Sequence, residues 1–138
     1  MGAPMAARLA DAGHQVLAWN RTKNKADRLR SYGIEVVDLP EEAAAQCDIV
    51  IVMLSSGPVC DEILLGPKGL LEFMQRDATL VVMSSIPVET AHKHAKEAAQ
   101  KHIHYLDAPV SGGEQGAIDG KLAIMVGGDV MTFRAVEP

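Results

Sequence analysis

The sequence predicts an α/β protein whose open, mostly parallel sheet carries helices on both faces. Helix-like segments alternate with short β-branched runs along the chain, which is the period of strand, helix, strand. Parallel neighbours in a sheet need crossover connections, and the segments between the runs are long enough to supply them as helices. With 138 residues, 48% of them hydrophobic and only 4% aromatic, the chain is expected to form one domain with an aliphatic core.

The first half of the chain is predicted to hold three helices and three strands. Gly13 and Gly33 stand where helices commonly end, and Pro40 followed by two glutamates is typical of a helix start. The apolar run 48–54 looks like a buried parallel strand. The predicted helices cover residues 3–12, 23–31 and 41–46, and the predicted strands cover residues 15–19, 34–37 and 48–54.

The second half continues the alternation as far as residue 106. A helix is predicted over residues 59–65, and a long one is opened by Pro87 and runs to residue 101. Strands are predicted over residues 79–83 and 103–106.

Charge and cysteine usage argue against several classes of protein. The 13 basic residues are dispersed among 18 acidic ones and the formal net charge is -5, so we expect no nucleic-acid partner. Cys47 and Cys60 form no CxxC pair, which suits free thiols in a reducing compartment. No apolar run reaches membrane-spanning length and the N-terminus has no signal pattern, so we expect a cytoplasmic protein without a membrane partner.

The histidines do not predict a metal site. His102 and His104 would share one face of a strand, but no third ligand lies near them in sequence. His92 and His94 are two residues apart on a predicted helix, so they should not face the same direction.

The first predicted helix begins almost at residue 1, with no strand before it. In a doubly wound nucleotide-binding fold, the strand that feeds this helix occupies the centre of the sheet. We therefore expect a Rossmann-like sheet that lacks its first, central strand. A different strand order, in which no strand is missing, is the alternative.

The segment Asn20-Arg21-Thr22 follows the first predicted strand, where dinucleotide folds recognise the adenosine ribose. An Asp or Glu there would repel a 2′-phosphate, whereas the planar guanidinium of Arg21 can pair with one. The segment therefore favours NADP over NAD. The alternative is a solvated Arg21 and a Thr22 that caps the next helix.

Polar and glycine-rich loops follow the later strands, at the carboxyl ends where α/β sheets bind ligands. Ser84 and Ser85 could line such a site or could cap the helix after them. In residues 107–113, Ser111 can donate its hydroxyl, and Gly112 and Gly113 allow backbone amides to approach a carboxylate. On composition alone, this last segment is also a common glycine-rich turn.

Four segments together resemble the β-hydroxyacid dehydrogenase family. They are the opening Met1-Gly2-Ala3-Pro4-Met5, the run Asp107-Ala108-Pro109-Val110-Ser111-Gly112-Gly113, and the later residues 116–120 and 125–129. The resemblance implies that Gly2 is the last glycine of a GxGxxG turn and that Ser111, Gly112 and Gly113 bind substrate. It also implies cofactor contacts from Leu54, Ser55, Val59 and Ser85. Ser55 and Met83 depart from the Pro and Asp that the family usually has.

The resemblance also implies an activity and further parts of the protein. Members exchange hydride between NAD(P) and a small hydroxy acid or semialdehyde, such as 3-hydroxyisobutyrate or tartronate semialdehyde. A lysine beyond Pro138 acts as their general acid and base, and a C-terminal helical domain mediates dimerisation. We therefore expect residues 1–138 to be a partial NAD(P)-binding domain that turns over nothing alone and forms a homo-oligomer only with the helical domain. A non-catalytic nucleotide- or partner-binding fragment, and a relative of imine reductases or 6-phosphogluconate dehydrogenase, are the alternatives.

Overall fold

The computed structural model describes residues 1–137 and has the predicted α/β architecture. Its first elements are α1 Gly2–Asp11, β1 Leu17–Ala18, α2 Lys23–Asp27, β2 Glu35–Val36, α3 Pro40–Ala44, β3 Ile49–Val52 and α4 Gly57–Leu65. They are followed by β4 Thr79–Val82, α5 Val88–Gln100, β5 His104–Asp107, β6 Val110–Ser111, α6 Gly113–Asp119, β7 Ala123–Ile124, β8 Gly127–Gly128 and α7 Val130–Val136. Short 3-10 helices follow α2 and α4, at Arg28–Tyr32 and Leu70–Glu72.

The strands form three separate sheets. The main sheet has four strands in the order β3-β4-β5-β8, in which β3, β4 and β5 are parallel and β8 is antiparallel to β5. In its register Val52 lies opposite Val82, and Val82 opposite Asp107. The parallel pair β1-β2 and the antiparallel pair β6-β7 are separate two-stranded sheets. Within residues 1–137, no strand pairs with both β1 and β3.

Helices cover both faces of the main sheet, as predicted. On one face a large apolar core joins α4 and α5 to the sheet, and Leu64 and Leu80 are fully buried in it. On the other face Leu106 packs with Met5 of α1 and Phe133 of α7. Burying a side chain such as leucine stabilises a fold by roughly 1.5–3 kcal/mol, so the two cores hold the helices against the sheet.

The prediction that the run 48–54 is buried was wrong for most of its residues. Ile49 and Ile51 are 45% and 40% exposed, and Val52 is the buried residue of β3. The reason is position: β3 is an edge strand of the main sheet, and the fully buried strand is its neighbour β4. An apolar run therefore did not distinguish an edge strand from a central one.

The region after residue 107 was not predicted in detail and departs from the βα period. It contains the short strands β6, β7 and β8 and the helices α6 and α7. No helix among residues 1–137 is long and apolar enough to cross a membrane.

Candidate functional site

The carboxyl ends of β3, β4 and β5 meet at one edge of the main sheet, and the loops after them form the candidate site. Ser55 and Ser85 each lie three residues beyond the paired residues Val52 and Val82, and both serines are exposed. Ser111 follows β5 by four residues and is also exposed. The three serines thus follow the same ends of three neighbouring parallel strands, where ligands bind in sheets of this type.

A buried hydroxyl joins the first two of these loops. Ser84 is 1% exposed, and its Oγ accepts a hydrogen bond of 2.7 Å from the backbone N–H of Leu54. It also contacts the buried thiol of Cys60, whose pKa is raised by burial despite this contact. The alternative that Ser84 caps α5 is wrong, because the N-cap is Pro87 and no side chain caps that helix. Ser84 instead fixes the main chain of Leu54.

Val59 and Gly2 approach the site from α4 and α1. Val59 lies in the first turn of α4 and is half-buried. Gly2 lies against Met53, just after β3, and a Cβ placed on Gly2 would come within 3.8 Å of the Met53 Cβ. That is an ordinary contact distance, so the described neighbours do not themselves require a glycine at this position.

The turn Asn20-Arg21-Thr22 is exposed and is held by its own asparagine. The Oδ1 of Asn20 accepts a hydrogen bond of 2.9 Å from the backbone N–H of Thr22. Thr22 occupies the N-cap position of α2, as the alternative expected, but its side chain makes no capping hydrogen bond. Among the described residues, the guanidinium of Arg21 takes part in no hydrogen bond or ion pair, whereas the nearby Lys23 is paired with Asp38.

The segment after β5 has a backbone that favours glycine at two positions. Ser111 belongs to β6, which pairs with β7, and Gly112 and Gly113 follow with φ angles of 135° and 63°. Residues with side chains rarely adopt such angles. A Cβ on Gly112 would also come within 3.1 Å of Leu122 Cδ2. Residues 111–113 are exposed, so this glycine turn is accessible beside the Ser111 hydroxyl.

A buried histidine with a charged partner on the neighbouring helix was not found from the sequence. His94 is fully buried in α5, and its Nε2 lies 2.7 Å from Oδ1 of Asp61 in α4. Lys93 Nζ donates to Oδ2 of the same carboxylate at 2.9 Å. The hydrogen bond from Lys93 is the main cause that lowers the pKa of Asp61, and the one from His94 adds to it. The exposed His92 confirms that the two helix histidines face different directions.

The remaining histidines of the strand region are not grouped with other ligands. His102 lies in the turn before β5, and the Nδ1 of the exposed His104 is 3.4 Å from the hydroxyl of Thr132 in α7. Across residues 1–137, no three His, Cys, Asp or Glu side chains are grouped as metal ligands.

Comparison with known proteins identifies the family of the chain. Residues 1–138 match a family described as the NAD binding domain of 6-phosphogluconate dehydrogenase. The chain is 42% identical over 139 residues to the 2-hydroxy-3-oxopropionate reductase of Escherichia coli (strain K12). It is 36% identical to the solved 3-hydroxyisobutyrate dehydrogenase of Mycobacterium tuberculosis, with a TM-score of 0.94. The chain is an NAD-binding domain of the β-hydroxyacid dehydrogenase family.

This NAD-binding domain spans about half the length of the relatives it matches. All of the chain is covered in both comparisons, but only 47% of the Escherichia coli reductase and 46% of the mycobacterial enzyme. A third relative, the structure of Psf3 in complex with NADP+ and 2-OPP, is 27% identical, with a TM-score of 0.93, and covers 99% of this chain and 48% of that one. The resemblance predicted from the sequence is thereby confirmed.

Proposed function

We propose that this NAD-binding domain serves hydride transfer between a nicotinamide dinucleotide and a small hydroxy acid or semialdehyde. The observation that carries the proposal is the common edge at which β3, β4 and β5 end, with the Ser111 turn beside the Leu54 and Ser85 loops. One edge can thus offer contacts to a dinucleotide and to a small acid together. The names of the two most similar relatives described above, a 2-hydroxy-3-oxopropionate reductase and a 3-hydroxyisobutyrate dehydrogenase, support this substrate class.

On the cofactor side, the loops after β3 and β4 would hold the dinucleotide. Leu54 and Ser55 would offer main-chain groups and Val59 an apolar wall, while the Ser85 hydroxyl would approach the nicotinamide. Gly2, at the start of α1, would leave room for the pyrophosphate near the helix N-terminus. The hydrogen bond from Leu54 to the buried Ser84 supports this arrangement, because it fixes the first of these loops to the second.

On the substrate side, Ser111, Gly112 and Gly113 would bind a carboxylate. The hydroxyl of Ser111 would donate one hydrogen bond, and the main-chain N–H groups of the two glycines would donate others. The positive φ angles of both glycines support this role, because they set the turn without a side chain in front of it.

We further propose that the domain prefers NADP to NAD. Asn20 carries no negative charge and its Oδ1 already holds the Thr22 N–H, so the turn is shaped without a carboxylate at the ribose position. The guanidinium of Arg21 has no partner among residues 1–137 and could pair with a 2′-phosphate. A hydrogen bond to a charged group contributes roughly 1.5–3 kcal/mol, which is about one to two decades of affinity.

The test is a fluorescence titration of the 138-residue chain with NADPH and with NADH. We expect Arg21→Ala to weaken NADPH binding by about ten- to a hundredfold while NADH binding changes little. Arg28→Ala is the matched control, because Arg28 is also exposed and lies seven residues further along the chain. Equal affinity of the unaltered protein for the two nucleotides would contradict the NADP preference, and no binding of either would contradict the proposed function.

A further inference from the structure

The helices α4 and α5 and the strand β5 bring together four polar side chains, which we call the internal polar cluster; its His94 is fully buried and its Asp61 is 35% exposed. It consists of Asp61, His94, Tyr105 and Asp107. Tyr105 and Asp107 are alternate residues of β5, so their side chains lie on the same face of the sheet. Tyr105 packs against the core that contains Ala98 of α5, which identifies this face as the one covered by α5.

One side of the cluster has a defined hydrogen bond. The Asp61 carboxylate is an acceptor, so His94 donates from Nε2 across the 2.7 Å contact. In a neutral imidazole this leaves Nδ1 as an acceptor, aimed away from Asp61 into the protein. The hydrogen bond to Asp61 thus sets which nitrogen of His94 carries the proton.

The other side of the cluster has three polar atoms that are buried without a hydrogen-bond partner among the described residues. They are Nδ1 of His94, the hydroxyl oxygen of Tyr105 and Oδ1 of Asp107. The rings of His94 and Tyr105 meet edge to face, with their centroids 6.3 Å apart. Buried polar groups in native proteins almost always have a partner, from the protein or from an internal water. These three buried atoms without a partner lie around the face of β5 that α5 covers, so we expect one partner shared by all three.

The hydrogen-bonding capacity of the three atoms matches one water molecule. A water donates two hydrogen bonds, which the acceptors His94 Nδ1 and Asp107 Oδ1 can receive. It also accepts, and the Tyr105 hydroxyl can donate to it. The pKa of Tyr105 is raised by burial and by the nearby Asp107 charge, so the hydroxyl keeps its proton. Internal waters typically make about three hydrogen bonds of this kind.

We propose that His94, Tyr105 and Asp107 form the binding site of an internal water molecule, and that His94 and Tyr105 thereby position the turn that carries Ser111. The second half of this inference rests on the proposed function, which assigns that turn to the substrate. Asp107 is the last residue of β5, and the main chain continues directly into the Ser111 turn. The N–H of the next residue, Ala108, donates to the carbonyl of Val82 at 2.8 Å. The water would fix the Asp107 side chain as the sheet fixes its main chain.

The water site has a spectroscopic test on the 138-residue chain. Long-lived water should give nuclear Overhauser cross-peaks to the ring protons of His94 and Tyr105, and long-range ¹H–¹⁵N spectra should show Nε2 protonated and Nδ1 bare. Tyr105→Phe should abolish the water cross-peaks and shift the amide signals of Ser111, Gly112 and Gly113. The matched control is Tyr32→Phe at an exposed tyrosine, which should change neither.

A second variant keeps the test decisive if Tyr105→Phe does not fold. Asp107→Asn keeps an oxygen acceptor in the same place, so it should retain the water cross-peaks. Absence of these cross-peaks in the unaltered chain, or a protonated Nδ1, would overturn the water site. Unshifted Ser111 amide signals in a folded Tyr105→Phe variant would overturn the positioning role. An NADPH titration of the same samples reports on the proposed function separately, because a chain that fails to bind nucleotide can still hold the water.

Discussion

At the scale of single residues, the informative positions are polar groups whose partners are far away in sequence. Asp61 and His94 are 33 residues apart, and Leu54 and Ser84 are 30 apart. Periodicity and local motifs report on neighbours within a helix turn or a strand, so they could not predict either pair. By contrast, Arg21 could be proposed as a cofactor contact from the sequence alone, because a dinucleotide fold places the ribose at the end of a particular strand.

The Asp61 carboxylate should make the stability of the protein depend on pH. Its pKa in the folded state is lowered from 3.8, chiefly by the Lys93 hydrogen bond and further by His94. Its contribution is therefore present above about pH 4 and is lost as the pH falls through the lower folded-state pKa. We expect Asp61→Asn, which keeps an acceptor but not the charge, to lower the free energy of unfolding by about 1 kcal/mol at pH 7. That difference should shrink towards pH 2.

Denaturant unfolding at several pH values measures this effect. Asp11→Asn is the control, because Asp11 is exposed and has no ion pair among the described residues, so a change within about 0.5 kcal/mol is expected. A difference between Asp61→Asn and the unaltered chain that stays constant from pH 7 to pH 2 would contradict the assignment.

At the scale of elements, most helices and strands up to residue 107 could be predicted from the sequence. The pattern of apolar residues did not predict the strand β8 or the burial of β3. The helix and strand types predicted up to residue 107 were correct, but their ends differ by a few residues in either direction: the predicted strand 15–19 is observed as Leu17–Ala18, and the predicted helix 59–65 as Gly57–Leu65. The 3-10 helix Leu70–Glu72 was not predicted. β8 was missed because it consists of Gly127 and Gly128, which carry no β-branched or aromatic signal. The burial of β3 was misjudged because strand order is a property of the sheet and not of the run.

The hydrogen bond between Leu54 and the buried Ser84 joins the loops after β3 and β4, and removing the Ser84 hydroxyl tests it. Ser84→Ala removes the acceptor of the Leu54 N–H in a half-buried setting, which should cost about 1–3 kcal/mol of unfolding free energy. The exposed neighbour Ser85 is the matched control, since Ser85→Ala should change stability by less than about 0.5 kcal/mol. Thermal or denaturant unfolding compares the two, and equal effects would show that the buried hydroxyl is not what joins the loops.

At the scale of the whole molecule, about half the length of the relatives corresponds to this NAD-binding domain. Nucleotide binding by this domain and catalytic turnover must therefore be measured separately. The family resemblance implies that the general acid and base is a lysine beyond Pro138. Proton transfer from a positioned group accelerates a reaction by roughly 10²–10⁴-fold.

We expect the 138-residue chain, assayed in isolation, to give no measurable dehydrogenase turnover. Absorbance of the reduced nicotinamide, followed with 3-hydroxyisobutyrate or tartronate semialdehyde at high cofactor concentration, measures this. A protein of the relatives' length is the positive control. Steady, stoichiometric turnover by residues 1–138 would show that their own side chains supply the proton.

The separation of the β1-β2 pair from the main sheet has a consequence for motion. No backbone ladder among residues 1–137 ties β1 to β3, so the hydrogen bonds of the pair can open without breaking any between β3, β4 and β5. Because β1 and β2 are short and only partly buried, we expect their hydrogen bonds to open at a lower free energy than those of the buried strand β4. The Arg21 turn follows β1 of this pair, Ser85 follows β4 of the main sheet, and Ser111 lies in the separate pair β6-β7. A dinucleotide that contacts both the Arg21 turn and the Ser85 loop would link two sheets that no backbone ladder among residues 1–137 joins.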